Sequence, residues 1–194
     1  MDKKIYSGKI NKNIFIQILL FSVLVCIDQI TKQWAVNSLH NMDLSVIKNI
    51  ISFHYLENQG AAFGMLNKHP WIFIIISIII FLAVSAVYYL VNRGLKNYCC
   101  QNEDKIKQKT VNNTIFLNYI LAVLGAGAVG NLIDRVFRGF VVDYLHATFI
   151  DFPVFNLADC CITIGAGLLI LYVILSEIKE QKAKKLGGDE DAVE

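Results

Sequence analysis

"FPVFNLADCCITIGAGLLILYVIL" (152–175) runs apolar almost throughout, yet Asn156 and Asp159 stand near its start, three residues apart. From Phe155 to Ser176 the run is long enough to cross a hydrocarbon core of roughly 30 Å, which takes about 20 helical residues. A carboxylate at the edge of hydrocarbon is costly. Ionisable residues there face a bundle interior or water and mark functional sites. The fold turns on how many further segments of this kind the chain holds, and the chemistry on what else lies at the depth of Asp159.

Three more segments qualify: 13–34, "NIFIQILLFSVLVCIDQITKQW"; 71–91, "WIFIIISIIIFLAVSAVYYLV"; and 114–136. The composition agrees, with 55% apolar residues, 18% charged residues and two prolines in 194 residues, and a mean hydropathy of +0.49. An all-α integral membrane protein with four spans is therefore expected. Four crossings put both termini on one side. Lys and Arg choose that side: 13 of 18 lie in the N-terminal tail, the loop 92–113 and the C-terminal tail. The outer segments 36–70 and 137–155 hold only Lys48, Lys68 and Arg138. By the positive-inside rule both termini are cytoplasmic. Trp34 and Trp71 then flank the outer interface, and Tyr88 and Tyr89 the inner one. The N-terminus lacks a small-residue cleavage site after its apolar core, so an uncleaved first span is expected.

The loop 92–113 is polar and basic and reads as a solvated connector. Residues 177–194 read as a charged cytoplasmic tail without fixed structure, outside a membrane domain of residues 1–176. "VIKNIISFHYLE" (46–57) alternates, with Ile51, Phe53 and Tyr55 on one side and Ser52 and His54 on the other. "GFVVDYL" (139–145) is a second strand candidate, so a small sheet is expected on the outer surface. Cys26, Cys99, Cys100, Cys160 and Cys161 form no C-x-x-C and no disulfide framework, and read as apolar filler. His40, His54, His69 and His146 fit no metal spacing.

The ionisable groups near hydrocarbon all fall at one depth, on the outer side. Asp28 and Lys32 share a helix face near the end of span one. Asn131, Asp134 and Arg135 share a face at the end of span three, and Asp143 follows in the outer loop. With Asp159 the layer holds four acids against two bases. Pinning of helix ends accounts for Asp28, Lys32 and Asp134, and leaves Asp143 and Asp159 as surplus acid. Crowded carboxylates at low dielectric cannot all ionise. One ionised and one protonated carboxyl is what an aspartic-type hydrolase needs. A transporter would carry mid-membrane charges and broken helices in repeated halves, and this chain has neither. A non-catalytic scaffold would leave the surplus acid without use. The runs "GAGAVGN" (125–131) and "GAG" (165–167) suit close helix approach and equally the admission of a lipid chain.

"DQITK" (28–32), "NQGAAFG" (58–64), "GAVGNLIDR" (127–135), "VVDY" (141–144) and "FNLAD" (155–159) stand in the order and topological positions of bacterial lipoprotein signal peptidase, or signal peptidase II. Together they closely resemble that family over about residues 13–176. The resemblance implies four transmembrane helices, a small extracytoplasmic sheet and a short outer helix, in the bacterial cytoplasmic (inner) membrane. It implies a membrane aspartic endopeptidase that cuts diacylglyceryl-modified prolipoproteins before the lipidated cysteine. Asp143 and Asp159 would be catalytic. Asn58, Asn131, Arg135 and Asn156 would bind substrate, with Asp28, Lys32, Gly60 and Asp134 in support. No metal or organic cofactor and no nucleic acid partner are implied. The implied partners are the lipid-modified precursor, membrane lipids and the inhibitor globomycin, and acyl chains are expected to enter sideways between spans. Two positions depart from the common pattern: Ala126 stands where a second Gly is usual, and Tyr144 where Phe is usual. The Tyr144 hydroxyl is expected near the acid pair.

Overall fold

The computed structural model describes residues 3–39, 42–60, 70–101 and 108–188. Its elements run α1 (Lys3–Ser38), β1 (Leu44–Ile47), β2 (Ile51–Asn58), α2 (Pro70–Gln101), α3 (Gln108–Phe137), β3 (Val141–Ala147) and α4 (Leu157–Gly188). All four helices are long and apolar enough to cross a membrane. α3 is the central one: half of its most apolar window (50%) is buried, against 6% for α2, and it packs on each of the other three. The outward faces of the others stay apolar, with Phe15 and Ile30 on α1, Ile79 and Leu82 on α2, and Ile164 and Ile170 on α4 all more than half exposed. Helical backbone satisfies its own hydrogen bonds, so such faces are at home against acyl chains.

The small residues of α3 and α4 serve contact between helices. A Cβ at Gly127 would strike the Ala158 carbonyl oxygen, and one at Gly165 would lie 2.9 Å from the Leu124 Cβ. At Gly130 it would lie 2.6 Å from Asp28 Oδ2. Close packing therefore accounts for these three glycines.

The helices overrun the predicted spans at the end of the bundle away from the sheet. The loop 92–113, expected as a connector, is helix up to Gln101 and again from Gln108. Leu95 and Val111, 5% and 0% exposed, explain this: with Ile10, Cys99 and Ile115 they form an apolar core at that end of the bundle. The tail, expected to lose structure from residue 177, stays helical to Gly188. Its "KEQKAKKL" is made of strong helix formers.

The segments between α1 and α2 and between α3 and α4 build one antiparallel sheet in the order β1-β2-β3. The single predicted strand over 46–57 is in fact two strands, folded back at 48–50. Asn49 takes φ 61 there, a conformation Asn tolerates better than most residues, and Ile50 N donates to Ile47 O at 2.9 Å. The alternation places its sides as expected. Phe53 and Tyr55 pack on Ala35, Leu39, Val142 and Tyr144, while His54 turns away to meet Asp43 at 2.6 Å. Gly139, at φ 82, turns the chain from α3 into β3. The implied short outer helix is not among the described outer residues; 61–69, His40 and His69 lie outside them, as do the last four residues of "NQGAAFG".

Candidate active site

α4 begins with a reciprocal cap. Asn156 Oδ1 accepts from Asp159 N at 2.9 Å, and Asp159 Oδ2 accepts from Asn156 N at 3.2 Å. This is the capping-box arrangement, with Asn and Asp in the usual places of Ser or Thr and Glu. "NLAD" before an apolar run is a sequence signal that could have shown it. The cap fixes the Asp159 carboxylate at the mouth of the helix, partly buried, where the positive end of the helix dipole favours negative charge.

Asp143 arrives from β3. Phe155 pairs with Leu145 across an isolated bridge, which lays the start of α4 beside the strand. Asn156 Nδ2 then donates to Asp143 Oδ1 at 2.6 Å. From the neighbouring strand, Asn58 Nδ2 donates to Asp143 Oδ2 at 2.8 Å, and Asn58 Oδ1 accepts from Gly60 N at 3.0 Å. Asn131 of α3 completes the group, with Nδ2 donating to Asp159 Oδ1 at 2.7 Å. The amide orientations agree with one another: Asn131 Oδ1 accepts from Lys32 Nζ at 2.9 Å and from Asn156 Nδ2 at 3.2 Å. One asparagine, Asn156, thus touches both carboxyl groups.

Asp28, Lys32 and Asp134 form a buried ion cluster behind the pair. Lys32 Nζ lies 2.9 Å from Asp28 Oδ2 and 3.2 Å from Asp134 Oδ2, with all three side chains at most 2% exposed. Each carboxylate also holds a backbone amide one residue before a member of the pair. Asp28 Oδ1 accepts from Ala158 N at 2.9 Å, and Asp134 Oδ2 accepts from Val142 N at 3.0 Å. A single cation on α1 therefore ties together the strand and the helix that carry Asp143 and Asp159.

Arg135 makes no hydrogen bond to this network among the described residues. Its guanidinium lies over the Phe73 ring, 5.5 Å from the centroid, and donates to Ser77 Oγ at 3.4 Å. It is engaged with α2 and makes no ion pair among the described residues. Tyr144 differs from expectation. Strand alternation turns it away from Asp143, and its hydroxyl donates to Thr31 Oγ1 at 2.8 Å. Besides Ser77 and Thr31, three partners escaped the reading of the sequence. Arg138, one turn after Asp134, lies 3.7 Å from its Oδ1, and the i,i+4 spacing could have shown it. Gln29 bridges Asp28 Oδ2 and the Gly130 carbonyl, both at 3.1 Å. Phe73 carried no signal.

Burial is the largest influence on Asp143, which is 1% exposed. Together with the nearby Asp159 charge it pushes the carboxyl up to about 7, against the pull of Asn58, Asn156 and Lys32. Such a group holds its proton in roughly half of the molecules at neutral pH. All five cysteines are free.

Comparisons with known proteins place the whole chain. The family model for Signal peptidase (SPase) II matches residues 20–175. The chain is 36% identical over 165 residues to a lipoprotein signal peptidase of Clostridioides difficile, covering 84% of this chain and 98% of that protein. It is 38% identical over 169 residues to one of Symbiobacterium thermophilum, covering 84% and 97%. A solved structure described as a bacterial membrane enzyme, obtained by the in meso method at 2.3 Å, superposes with a TM-score of 0.66 at 32% identity, covering 88% of this chain and 92% of that one. Four membrane-spanning helices, the three-stranded sheet and these matches together show a multi-pass membrane protein that belongs to the signal peptidase II family.

Proposed function

We propose that the chain is an aspartic endopeptidase that removes the signal peptide from diacylglyceryl-modified prolipoproteins, cutting before the lipidated cysteine. Family membership makes it a peptidase of lipoprotein precursors. The observation that carries the finer reading is the position of Asn156, hydrogen-bonded to both Asp143 and Asp159. It holds two carboxyls from different elements at one site, one of them raised to about 7.

In this reading a water lies between the two carboxyls. Asp159, oriented by Asn131 and the Asn156 amide, takes a proton as the water oxygen bonds to the scissile carbonyl carbon. Asp143 gives its proton to the carbonyl oxygen, leaving a neutral tetrahedral diol. Collapse returns that proton to Asp143, and Asp159 passes its own to the leaving nitrogen as the C–N bond breaks. Water is the only co-reactant. Asn58 and Arg135 remain to contact the peptide, Arg135 from the α2 side. The site lies at one end of the bundle beside the sheet, so the precursor's acyl chains reach it laterally between helices. Both termini are cytoplasmic and the pair faces the other side of the bacterial inner membrane.

Purified protein in detergent should cleave a diacylglyceryl-modified precursor, leave the unmodified precursor intact, and be blocked by globomycin. Cleavage of both precursors at equal rates would remove the lipid requirement from the proposal.

A further inference from the structure

The face of the α3–α4 pair far from the acid pair carries a groove of about 360 Å³. We infer that it binds an anionic glycerophospholipid, with the phosphate between Lys109 and Lys179 and one acyl chain along the helices below.

The groove is built by two helical stripes. On α4, Leu168, Leu171, Leu175, Ser176 and Lys179 recur at the spacing of one face. On α3, Lys109, Asn113 and Phe116 do the same. Both stripes grade in one direction. The deep end is apolar, with Leu168, Leu171 and Phe116 between 38% and 52% exposed, and the Phe116 ring meets Tyr172 at 6.3 Å. Asn113 and Ser176 follow, and then the two lysines. Acyl chain, ester region and phosphate succeed each other in the same order along a phospholipid.

The dimensions fit as well. Leu168 to Lys179 covers about 16 Å at the helical rise, or half of a hydrocarbon core of roughly 30 Å. Lys179 lies about 30 Å along α4 from Asp159, so the groove belongs to the leaflet opposite the acid pair. An apolar groove alone would accept any lipid, and the two cations at its rim select an anionic headgroup. The inference is independent of the proposed peptidase mechanism.

Thermal unfolding of the full chain in neutral detergent tests it, with phosphatidylglycerol, phosphatidylcholine of the same chains, or inorganic phosphate added. Phosphatidylglycerol should raise the midpoint by about 5 °C, and the other two should leave it unchanged. The rise should vanish in Lys109→Gln/Lys179→Gln. It should persist in Arg93→Gln/Lys96→Gln, which removes two exposed charges elsewhere on the same basic side. Should the groove variant fail to fold, Leu171→Trp fills the apolar end with both lysines kept, and should abolish the rise equally. Equal stabilisation by phosphatidylcholine, an equal loss in the Arg93/Lys96 control, or a rise with phosphate alone would overturn the inference.

Discussion

Asp143 and Asp159, given different roles in the proposed mechanism, have different surroundings. Asp143 sits on a strand at 1% exposure and is raised to about 7. Asp159 caps a helix and accepts two N–H groups. A raised acid keeps its proton to higher pH, so the share of Asp143 able to donate falls progressively as pH rises through about 7. We expect kcat/KM to fall about tenfold per pH unit on the alkaline side of about pH 7, measured with the lipid-modified precursor; a level profile to pH 9 would contradict the assignment of Asp143 as the proton donor. The same shift has a sign for folding. Its stabilising share is fully present below the ordinary carboxylate value of 3.8 and is lost as pH rises through about 7. Asn156→Ala removes the bridge and the cap together. It should lower kcat by about 100-fold through misplacement and cost about 1 kcal/mol of stability from the cap, read by single-turnover cleavage and thermal melts. The sequence singled out the two acids because four acids stand against two bases at their depth, and pinning of helix ends left these two over. The amide relay through Asn131, Lys32 and Asn156 was not, since it depends on which way each amide turns.

At the scale of elements, four parts of the chain meet at one lysine. Lys32 on α1 neutralises Asp28 and Asp134, and those carboxylates hold the amides that precede Asp159 and Asp143. Removing one partner from a buried ion cluster leaves uncompensated charge. Lys32→Met should therefore destabilise the protein by about 3–5 kcal/mol, seen as a lowered midpoint of unfolding in detergent. An unchanged midpoint would mean that the cluster holds nothing together. Gly127→Leu should separate α3 from α4, because even a Cβ there meets the Ala158 carbonyl; a drop in the yield of folded protein checks it. Spans could be read from hydropathy alone, whereas their inner extensions could not. Leu95 and Val111 are single apolar residues in polar surroundings, and only their meeting across two helices explains their burial. The polar contacts away from the acid pair, Tyr88 with Gln17 and Asn92 with Asn118, escaped a reading that followed charge. The reversal at Asn49 was hidden because the pattern 46–57 read equally well as one strand.

The whole molecule is a bundle around α3 with the Asp143–Asp159 pair at one end, and most of its basic residues lie in the segments expected at the other. Charge asymmetry predicts the orientation. Single cysteines in a cysteine-free background should be labelled by an impermeant thiol reagent from outside at position 45 in β1, and only after permeabilisation at position 179 in α4. The opposite pattern would reverse the topology. Family and fold were legible from motifs spread over four spans, since each motif is weak and their order is not. The catalytic type rests on two side chains. The most direct measurement is cleavage of a diacylglyceryl-modified precursor by purified Asp143→Asn and Asp159→Asn proteins, with folding checked in the same samples. We predict that each variant stays folded and loses at least about 1,000-fold in rate; a folded variant that cleaves near the rate of the unsubstituted protein would contradict the two-carboxyl account.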